Sequence, residues 1–299
     1  MGELRGGERG FLLLTSNLGN PDRKPLTVAQ FRELTSRFRN AQGQDISRDV
    51  QLRDFIAIGY SPGFARHILD LLQDEPLLHL YLTRAEKYHC VPITRATETY
   101  PLILRKRLGL DSPGCLWAKG DLSLLDTAGI ALVGSRELNP QNRAFAEEVG
   151  RQAARQGLTL ISGNARGADK AAQNACLQAG GKVISVVADS LTDHRAQPNM
   201  LLLSENSFDE GFSAQRALSR NRIIHAMGRT VFVAQSDLGK GGTWDGTVKN
   251  LRFGWSCVAC FRDGSSASVE LEQMGAFLLD ITDVRDFGIF PQKEPSMFD

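Results

Sequence analysis

The chain has 299 residues, of which 42% are hydrophobic and 23% are charged, and its formal net charge is +1. This is the composition of an ordinary globular protein, and the length predicts about two domains. The balanced charge excludes a globally basic protein, so any contact with nucleic acid needs a local basic patch. The sequence has no apolar run of the ~20 residues that cross a membrane and no signal-peptide pattern, which predicts a cytoplasmic protein with no membrane partner.

The first 90 residues are predicted to be an arm followed by helices. Residues 1–25 are rich in Gly, Asn and Pro, which predicts a loose N-terminal arm. A small all-α domain is predicted at residues 26–90, beginning with a possible capping box at Thr27 and Gln30. The glycine turn at 58–63 is typical of a helix-hairpin-helix that grips a DNA backbone. Because this turn has no Lys or Arg of its own, we favour a packing or partner module.

Residues 91–129 are predicted to be a linker with a lead-in strand, and its basic cluster at 105–107 is typical of a solvated helix face. From Ile130 to residue 290 the chain alternates short apolar runs with amphipathic segments, and residues 291–299 form a tail. The predicted strands are 130–133, 158–161, 182–188, 201–205, 230–234 and 256–261. The alternation predicts an α/β fold, an extended Rossmann-like, doubly wound and mostly parallel sheet after the small all-α domain.

Loops that follow the predicted strands share one chemistry, since each offers backbone amides or small hydroxyls close to a cation. A doubly wound sheet brings such loops together at the carboxyl ends of its strands. Two arginines near a predicted helix start are expected to reach the same rim, and a flexible glycine loop precedes another helix. The predicted phosphate-binding residues are Gly134, Ser135, Arg136, Ser162, Gly163, Arg166, Gly167, Arg220, Asn221, Arg222, Lys240, Gly241, Gly242 and Thr243. Several anion sites in a row suit a chain of phosphates better than a single one.

Other ligands have weaker support in the sequence. No Gly-x-Gly-x-x-Gly follows the first strand, and no acid closes the second strand to bind a ribose. The Walker A pattern of P-loop ATPases is absent as well. Cys257 and Cys260 form a Cys-x-x-Cys pair in a predicted strand, where residues three apart point to opposite faces. The five cysteines are scattered and odd in number, so neither a disulfide framework, a metal site nor a cofactor is predicted.

The order of the motifs resembles that of the DNA-processing protein A (DprA/Smf) family. The matching segments are 100–101, 116–121, 131–136, 162–169, 204–205, 220–224, 241–243 and 274–276. The resemblance implies an extended Rossmann-like domain that dimerises, binds single-stranded DNA and loads a RecA-type recombinase during natural transformation. It also implies phosphate contacts by Arg136, Arg220 and Arg222, and no catalytic residue. The chain departs from the family between Asp189 and Ser204, a segment that is shorter and lacks Tyr-Pro.

One alternative is enzymatic. The same superfamily (SLOG) includes the Lonely-guy-type nucleotide phosphoribohydrolases, whose glycine-rich motif ends in a Glu where this chain has Asn250. Three other carboxylates could stand in for that Glu: Glu205, Asp189 and Asp245. A nucleotide-binding domain without catalysis, for instance in phage defence, is also open. His225 is expected to be a partly buried helix residue rather than a catalytic base.

Overall fold

The structure is a computed structural model that describes residues 4–41 and 50–291. The chain divides into two compact units, Met1–Tyr100 and Pro101–Asp299. The predicted linker at 91–129 is therefore shared between the units, and most of it belongs to the second. Within the described ranges, no helix is both long and apolar enough to cross a membrane.

The first unit is mainly helical. Its elements are α1 (Gly6–Thr15), α2 (Val28–Asn40), α3 (Leu52–Ala57), α4 (Pro62–Gln73), α5 (Glu75–Lys87) and the short strand β1 (Val91–Thr94). The prediction of a loose N-terminal arm is wrong, because residues 6–15 form α1 and bury Phe11 and the three leucines that follow it. Each of the three glycines in α1 costs about 1 kcal/mol of helix propensity, and burial of this apolar run outweighs that cost.

Arg23 anchors the chain that follows α1. Its guanidinium donates hydrogen bonds to the carbonyl oxygens of Leu13, Ser16 and Leu71. It also pairs with Asp74, with 3.1 Å between Nε and Oδ2. The Arg23 side chain is only 5% exposed, so one cation joins the end of α1 to the end of α4. A residue of the predicted arm is thus part of the core.

The helix, turn and helix predicted around residues 58–63 are present as α3, a tight turn and α4. Gly59 has a φ of +92°, which glycine adopts more readily than other residues. The Ser61 hydroxyl accepts a hydrogen bond from the Phe64 N–H and caps α4, with Pro62 at the first helical position. A role of this hairpin in packing or in partner binding stays a prediction.

The second unit alternates strand and helix from residue 115 onward. Its main elements are α6 (Leu102–Leu108), β2 (Cys115–Gly120), β3 (Gly129–Val133), α7 (Pro140–Arg155), β4 (Thr159–Ser162), α8 (Ala168–Gln178), β5 (Lys182–Val187), β6 (Met200–Glu205), α9 (Ala214–Met227), β7 (Thr230–Val233), α10 (Gly241–Phe253), β8 (Cys257–Phe261), α11 (Ser266–Gln273) and β9 (Phe277–Leu279). The strands lie in the order β2-β6-β5-β4-β3-β7-β8-β9. Only β2 and β6 are antiparallel, and the other neighbouring pairs of this unit are parallel. The predicted Rossmann-like, mostly parallel sheet is confirmed.

Strand β3 occupies the middle of this sheet, and every one of its residues is buried. It pairs with β4 on one side and with β7 on the other, both in parallel. The chain therefore reverses its direction of travel across the sheet at β3, and open α/β sheets bind their ligands at such switch points. The segments at the ends of β3, β4 and β7 carry most of the predicted phosphate-binding residues, and the other three, Arg220, Asn221 and Arg222, lie in α9.

Candidate phosphate-binding cleft

A cleft of about 620 Å³ opens at the carboxyl ends of β3 and β7, and we call it the carboxyl-end cleft. Ten of the predicted residues line it: Gly134, Ser135, Arg136, Arg166, Arg220, Asn221, Lys240, Gly241, Gly242 and Thr243. A smaller cavity of about 200 Å³, here the side cavity, shares Arg136, Arg166 and Arg220 with the cleft and adds Gly163. The fold thus brings loops that are distant in the sequence into one concave surface, although their role in binding stays a prediction.

Arg136 offers an exposed guanidinium on a rigid backbone. The N–H of its neighbour Ser135 donates to the Gln235 carbonyl at 3.0 Å, and the Ser135 carbonyl accepts from the Ala168 N–H at 3.1 Å. The Arg136 side chain is exposed and makes no ion pair with any residue that the structure describes. Its donors are therefore available to a ligand.

Gly167 allows the loops after β3 and β4 to approach each other. Its φ is +79°, and a Cβ added there would lie 2.3 Å from the Ser135 carbonyl oxygen and 2.5 Å from that of Arg136. The residue does not line the cleft. It acts by letting Arg136 lie against the start of α8, a structural role instead of the predicted phosphate contact.

Arg220 is a buried cation with almost no internal partner. Its side chain is 9% exposed, and its nearest counter-charge is Asp169, with 3.7 Å between Nη2 and Oδ2. Among residues 4–41 and 50–291 no acceptor reaches its Nε, which is buried. A Cβ on Gly163 would lie 1.6 Å from Arg220 Nη1, so glycine there makes the space for the guanidinium. Burying a cation is costly unless it is well paired, and an anion in the cleft would lower that cost.

Burial sets the electrostatics of this pair. Burial lowers the pKa of Arg220, and Asp169 opposes that shift while the nearby Arg136 adds to it. Burial also raises the pKa of Asp169, although Arg220 and the Ala165 N–H favour its ionised form. The Ala165 N–H donates to the Asp169 carboxylate at 3.1 Å. Two arginines therefore share a small volume with one buried carboxylate, and Asp189 adds a weaker attraction for Arg220.

Arg222 does not lie at a helix start beside the cleft, where the sequence predicted it. Helix α9 begins at Ala214, so Arg220 and Arg222 lie inside the helix and not at its start. Side chains two residues apart on a helix point about 200° apart, so one cleft cannot receive both. The Arg222 guanidinium forms a two-point ion pair with Glu205 and donates to the Asp111 carbonyl at 3.0 Å. It lines neither the cleft nor the side cavity.

Ser162 is also removed from the predicted site. It is fully buried, and its hydroxyl donates a 2.8 Å hydrogen bond to the Leu132 carbonyl, which joins β4 to β3. Side chains alternate between the two faces of a strand and do not point along it. The last residue of β4 therefore contributes to the sheet, and its neighbour Gly163 is the residue that reaches the side cavity.

The predicted flexible glycine loop is instead the first turn of α10, which begins at Gly241. Lys240 is its N-cap residue, and the Asn221 amide donates to the Gly242 carbonyl at 2.9 Å. The first N–H groups of a helix have no internal acceptor, and here they belong to residues that line the cleft. A helix start of this kind favours an anion.

Ser236 reinforces this end of the cleft. It is 8% exposed and lines the cleft just before α10. Its Oγ is buried and has no hydrogen-bond partner in the part of the chain that the structure describes. The sequence could have pointed to it, because Ser236 lies three residues after the end of β7 and Ser135 lies two residues after the end of β3.

Phe212 is a cleft residue that the sequence did not reveal. It is 59% exposed and lines both the carboxyl-end cleft and the side cavity. The guanidinium carbon of Arg136 lies 5.8 Å from the centre of its ring. A single aromatic residue in an irregular segment carries no periodic signal, so only the tertiary structure identifies it.

Asn250, the residue in place of the hydrolase Glu, lies in the core and not in the cleft. Its amide nitrogen lies 3.1 Å from His225 Nδ1 and donates to the Ser256 hydroxyl at 2.9 Å. His225 is fully buried and not partly buried as predicted. Burial, with a smaller contribution from Arg220, lowers the pKa of His225 to about 3. The two residues form a neutral network between α9 and α10.

Arg107, in the predicted linker cluster, has a structural role. Its Nη1 donates to the carbonyls of Ala226 at 3.0 Å and Gly228 at 2.6 Å, at the end of α9. Burial lowers the pKa of Arg107 to about 10. It is not part of a solvated face, unlike the exposed Arg105 and Lys106.

The described residues contain no cluster of side chains that could bind a metal ion. Within these ranges, no three or more His, Cys, Asp or Glu side chains are grouped so that they could hold a metal ion. Cys257 and Cys260 are both buried in β8, and burial raises the pKa of Cys260.

Comparison with known proteins places this architecture in a family. The sequence model of the family described as DNA recombination-mediator protein A matches residues 92–252, more than half of the chain. The DNA processing protein DprA of Streptococcus pneumoniae is 36% identical over 141 residues, which is 44% of this chain and 50% of that protein. Protein Smf of Escherichia coli is 32% identical over 165 residues, 52% of this chain and 43% of that protein. The chain thus matches about half the length of these curated relatives.

Solved structures of DprA proteins have the same fold as this chain. DprA from Streptococcus pneumoniae superposes with a TM-score of 0.66 at 26% identity, covering 89% of this chain and 99% of the other. DprA from Helicobacter pylori, described for its single-stranded DNA binding mode, superposes with a TM-score of 0.54 at 25% identity, covering 65% and 93%. From its sequence motifs, its sheet topology and these matches, the chain belongs to the family of DNA recombination-mediator protein A.

Proposed function

We propose that this chain binds single-stranded DNA by its phosphates in the carboxyl-end cleft. The observation that carries the proposal is Arg220, a buried cation at the cleft wall whose Nε has no acceptor among the described residues and whose counter-charge, Asp169, lies 3.7 Å away. A phosphate oxygen accepts hydrogen bonds from such a planar group more fully than Asp169 does at 3.7 Å. A bound phosphate would complete the coordination that the protein leaves open.

A chain of phosphates suits this surface better than one anion. The start of α10 with Lys240 and Ser236 forms one anion site, and the side cavity with Arg166 and Gly163 offers a second. Arg136 and Arg220 line both cavities and so connect them. Successive phosphates of one strand would occupy the two positions.

The wider role proposed is that of a recombination mediator. The chain would protect incoming or exposed single strands and hand them to a RecA-type recombinase, acting as a homodimer and without catalysis. The description of the family and the named binding mode of the Helicobacter pylori relative support this proposal. A place in natural transformation and a cytoplasmic location stay predictions.

The hydrolase alternative has no carboxylate in the expected place. Asn250 is buried in the core network, Glu205 is paired with Arg222, and Asp245 is paired with Lys249 at 2.8 Å. Asp189 does line the side cavity, where His194 Nε2 lies 2.9 Å from its carboxylate. Asp189 is thus the one of the three named substitutes that lines the described cleft or its side cavity, and the geometry favours binding over turnover.

The test is a fluorescence anisotropy titration of the full chain with a labelled single strand. Unlabelled single strand, duplex of the same sequence and nucleoside monophosphate serve as competitors. We expect the single strand to compete best. The logarithm of the association constant should fall with the logarithm of the salt concentration, with a slope of about −0.7 for each phosphate contacted. Equal competition by the duplex or the monophosphate, or a flat salt response, would contradict the proposal.

A further inference from the structure

Phosphate contacts alone do not explain why the cleft would prefer a single strand to a duplex, since both present a phosphate at every nucleotide and the duplex is the more highly charged. An unpaired base differs from a paired one because its ring faces are free to stack on an aromatic side chain. The described cleft offers one aromatic ring for this purpose, that of Phe212, which lines both cavities. This ring is 59% exposed although it is large and apolar.

The segment that carries Phe212 is fixed on both sides. The Phe208 carbonyl accepts a hydrogen bond from the Leu191 N–H at 2.8 Å, and Phe208 itself is fully buried. Arg216 pairs with Glu210 at 2.5 Å and also donates to the Ala188 carbonyl at 3.2 Å. The chain on both sides of Phe212 is therefore anchored, which limits the conformational entropy that this segment would lose when a ring stacks on Phe212.

Charge around Phe212 determines which flat partner suits it. The Arg136 guanidinium lies 5.8 Å from its ring centre, and Arg166 and Arg220 line the same side cavity. A protein partner presenting an apolar side chain would have to desolvate these cations without compensating them. A nucleotide supplies both parts, because its phosphate pairs with the arginines while its base covers the ring.

We propose that Phe212 stacks against an unpaired base of the strand whose phosphates occupy the carboxyl-end cleft. This inference rests on the proposed function and adds the selectivity of the site. The stacked base must be unpaired and turned out of any helix, so Phe212 discriminates against duplex. Stacking involves no counterions, and its contribution is therefore independent of salt, unlike that of Arg136.

The experiment compares Phe212→Ala, Phe212→Trp and the parent on two probes, a short oligothymidylate and the same backbone with abasic residues. Phe253→Ala is the matched control, since Phe253 is 60% exposed and has an arginine carbon 5.5 Å from its ring, but it lies outside the cleft at the end of α10. Thermal melts show that each variant is folded.

We expect Phe212→Ala to weaken binding of oligothymidylate by between about fivefold and about a hundredfold, with an unchanged salt slope. On the abasic strand Phe212→Ala and the parent should bind alike. Phe212→Trp should retain the affinity, and Phe253→Ala should match the parent. Equal affinity of Phe212→Ala and the parent for oligothymidylate would overturn the inference, as would an equal loss on both probes.

The two proposals fail in different ways. If the parent binds no single strand, or binds it without dependence on salt and on Arg136, the proposed function fails and the inference about Phe212 falls with it. If Arg136→Ala and salt weaken binding as expected while Phe212→Ala has no effect, phosphate binding in the cleft stands and only the stacking role is refuted.

Discussion

Arg136→Ala is the most direct test of the carboxyl-end cleft, because the structure separates its effect on binding from any effect on folding. The side chain is exposed and pairs with no carboxylate in the described residues. The neighbouring backbone is held by the Ser135 hydrogen bonds to Gln235 and Ala168, which the substitution does not touch. We therefore expect the thermal stability of the variant to equal that of the parent.

The magnitude follows from the hydrogen bonds that the guanidinium can form. A charge-assisted hydrogen bond contributes about 1.5–3 kcal/mol, which corresponds to a loss of affinity of between about tenfold and about a hundredfold. Removing one phosphate contact should also reduce the salt slope by about 0.7. Arg136→Lys should recover part of the affinity and most of the slope, because lysine keeps the charge but not the planar fork of donors.

Other cations provide the comparison. Lys240→Ala should cost less than Arg136→Ala, although Lys240 lies at a helix N-cap and not in a flexible loop, since its long side chain is a point charge that loses rotamer freedom on binding. Arg155 is 62% exposed at the far end of α7 and serves as the matched arginine control. Arg107→Ala is unsuitable as a control, because it removes two hydrogen bonds at the end of α9.

The assay is an anisotropy titration of each variant with the same single strand at several salt concentrations. The reasoning is refuted if Arg136→Ala binds like the parent with an unchanged salt slope while Arg155→Ala weakens binding. The strand would then run over α7 and not through the carboxyl-end cleft.

Three further predictions follow from the contacts around the cleft. Arg222→Ala should leave DNA affinity nearly unchanged but lower the free energy of unfolding by about 1–3 kcal/mol, because Glu205 would stay partly buried without its cation. Anisotropy measures the affinity and urea titration measures the stability. A large loss of affinity with normal stability would contradict the structure. Because the pKa of His225 is about 3 in the folded chain and 6.5 is its ordinary value, the unfolded chain takes up the proton first. Neutral His225 therefore costs no stability above pH 6.5. Below pH 6.5 the free energy of unfolding should fall by about 1 kcal/mol for each pH unit. His225→Gln should reduce this slope in thermal melts across the same pH range. Incubation with nucleoside monophosphates should release no free base by chromatography. Release that is abolished by Asp189→Asn, the substitute carboxylate that lines the side cavity, would restore the hydrolase alternative.

Several features of this protein were readable from the sequence because they depend on local patterns. The short apolar runs bounded by glycine predicted buried parallel strands, and these occur as β3, β4, β5 and β7. The position of Arg136 directly after β3 was also predictable, since the end of a strand fixes where the next residue lies. The ordered motifs gave the family for the same reason, because they mark the strand ends of one fold.

Other features needed the tertiary structure. Helix α1 forms in a glycine-rich stretch because Phe11 and the following leucines are buried, a property that depends on what packs against them. Arg220 and Arg222 both lie inside α9, where side chains two residues apart point in different directions, and the packing of α9 decides which of them faces the cleft. The first turn of α10 contains glycines that disfavour a helix on propensity alone, and the Asn221 contact to Gly242 helps to hold it.

The same distinction applies to function. The types of residue that could bind phosphate were evident from the sequence, because glycine, serine and arginine have that chemistry wherever they occur. Which of them share one surface depends on the order of the strands, which places β3 between β4 and β7 although β7 lies about a hundred residues away. The buried Arg220 and the exposed Phe212 are visible only in the tertiary structure, because burial and exposure are properties of the packed chain and not of the residue.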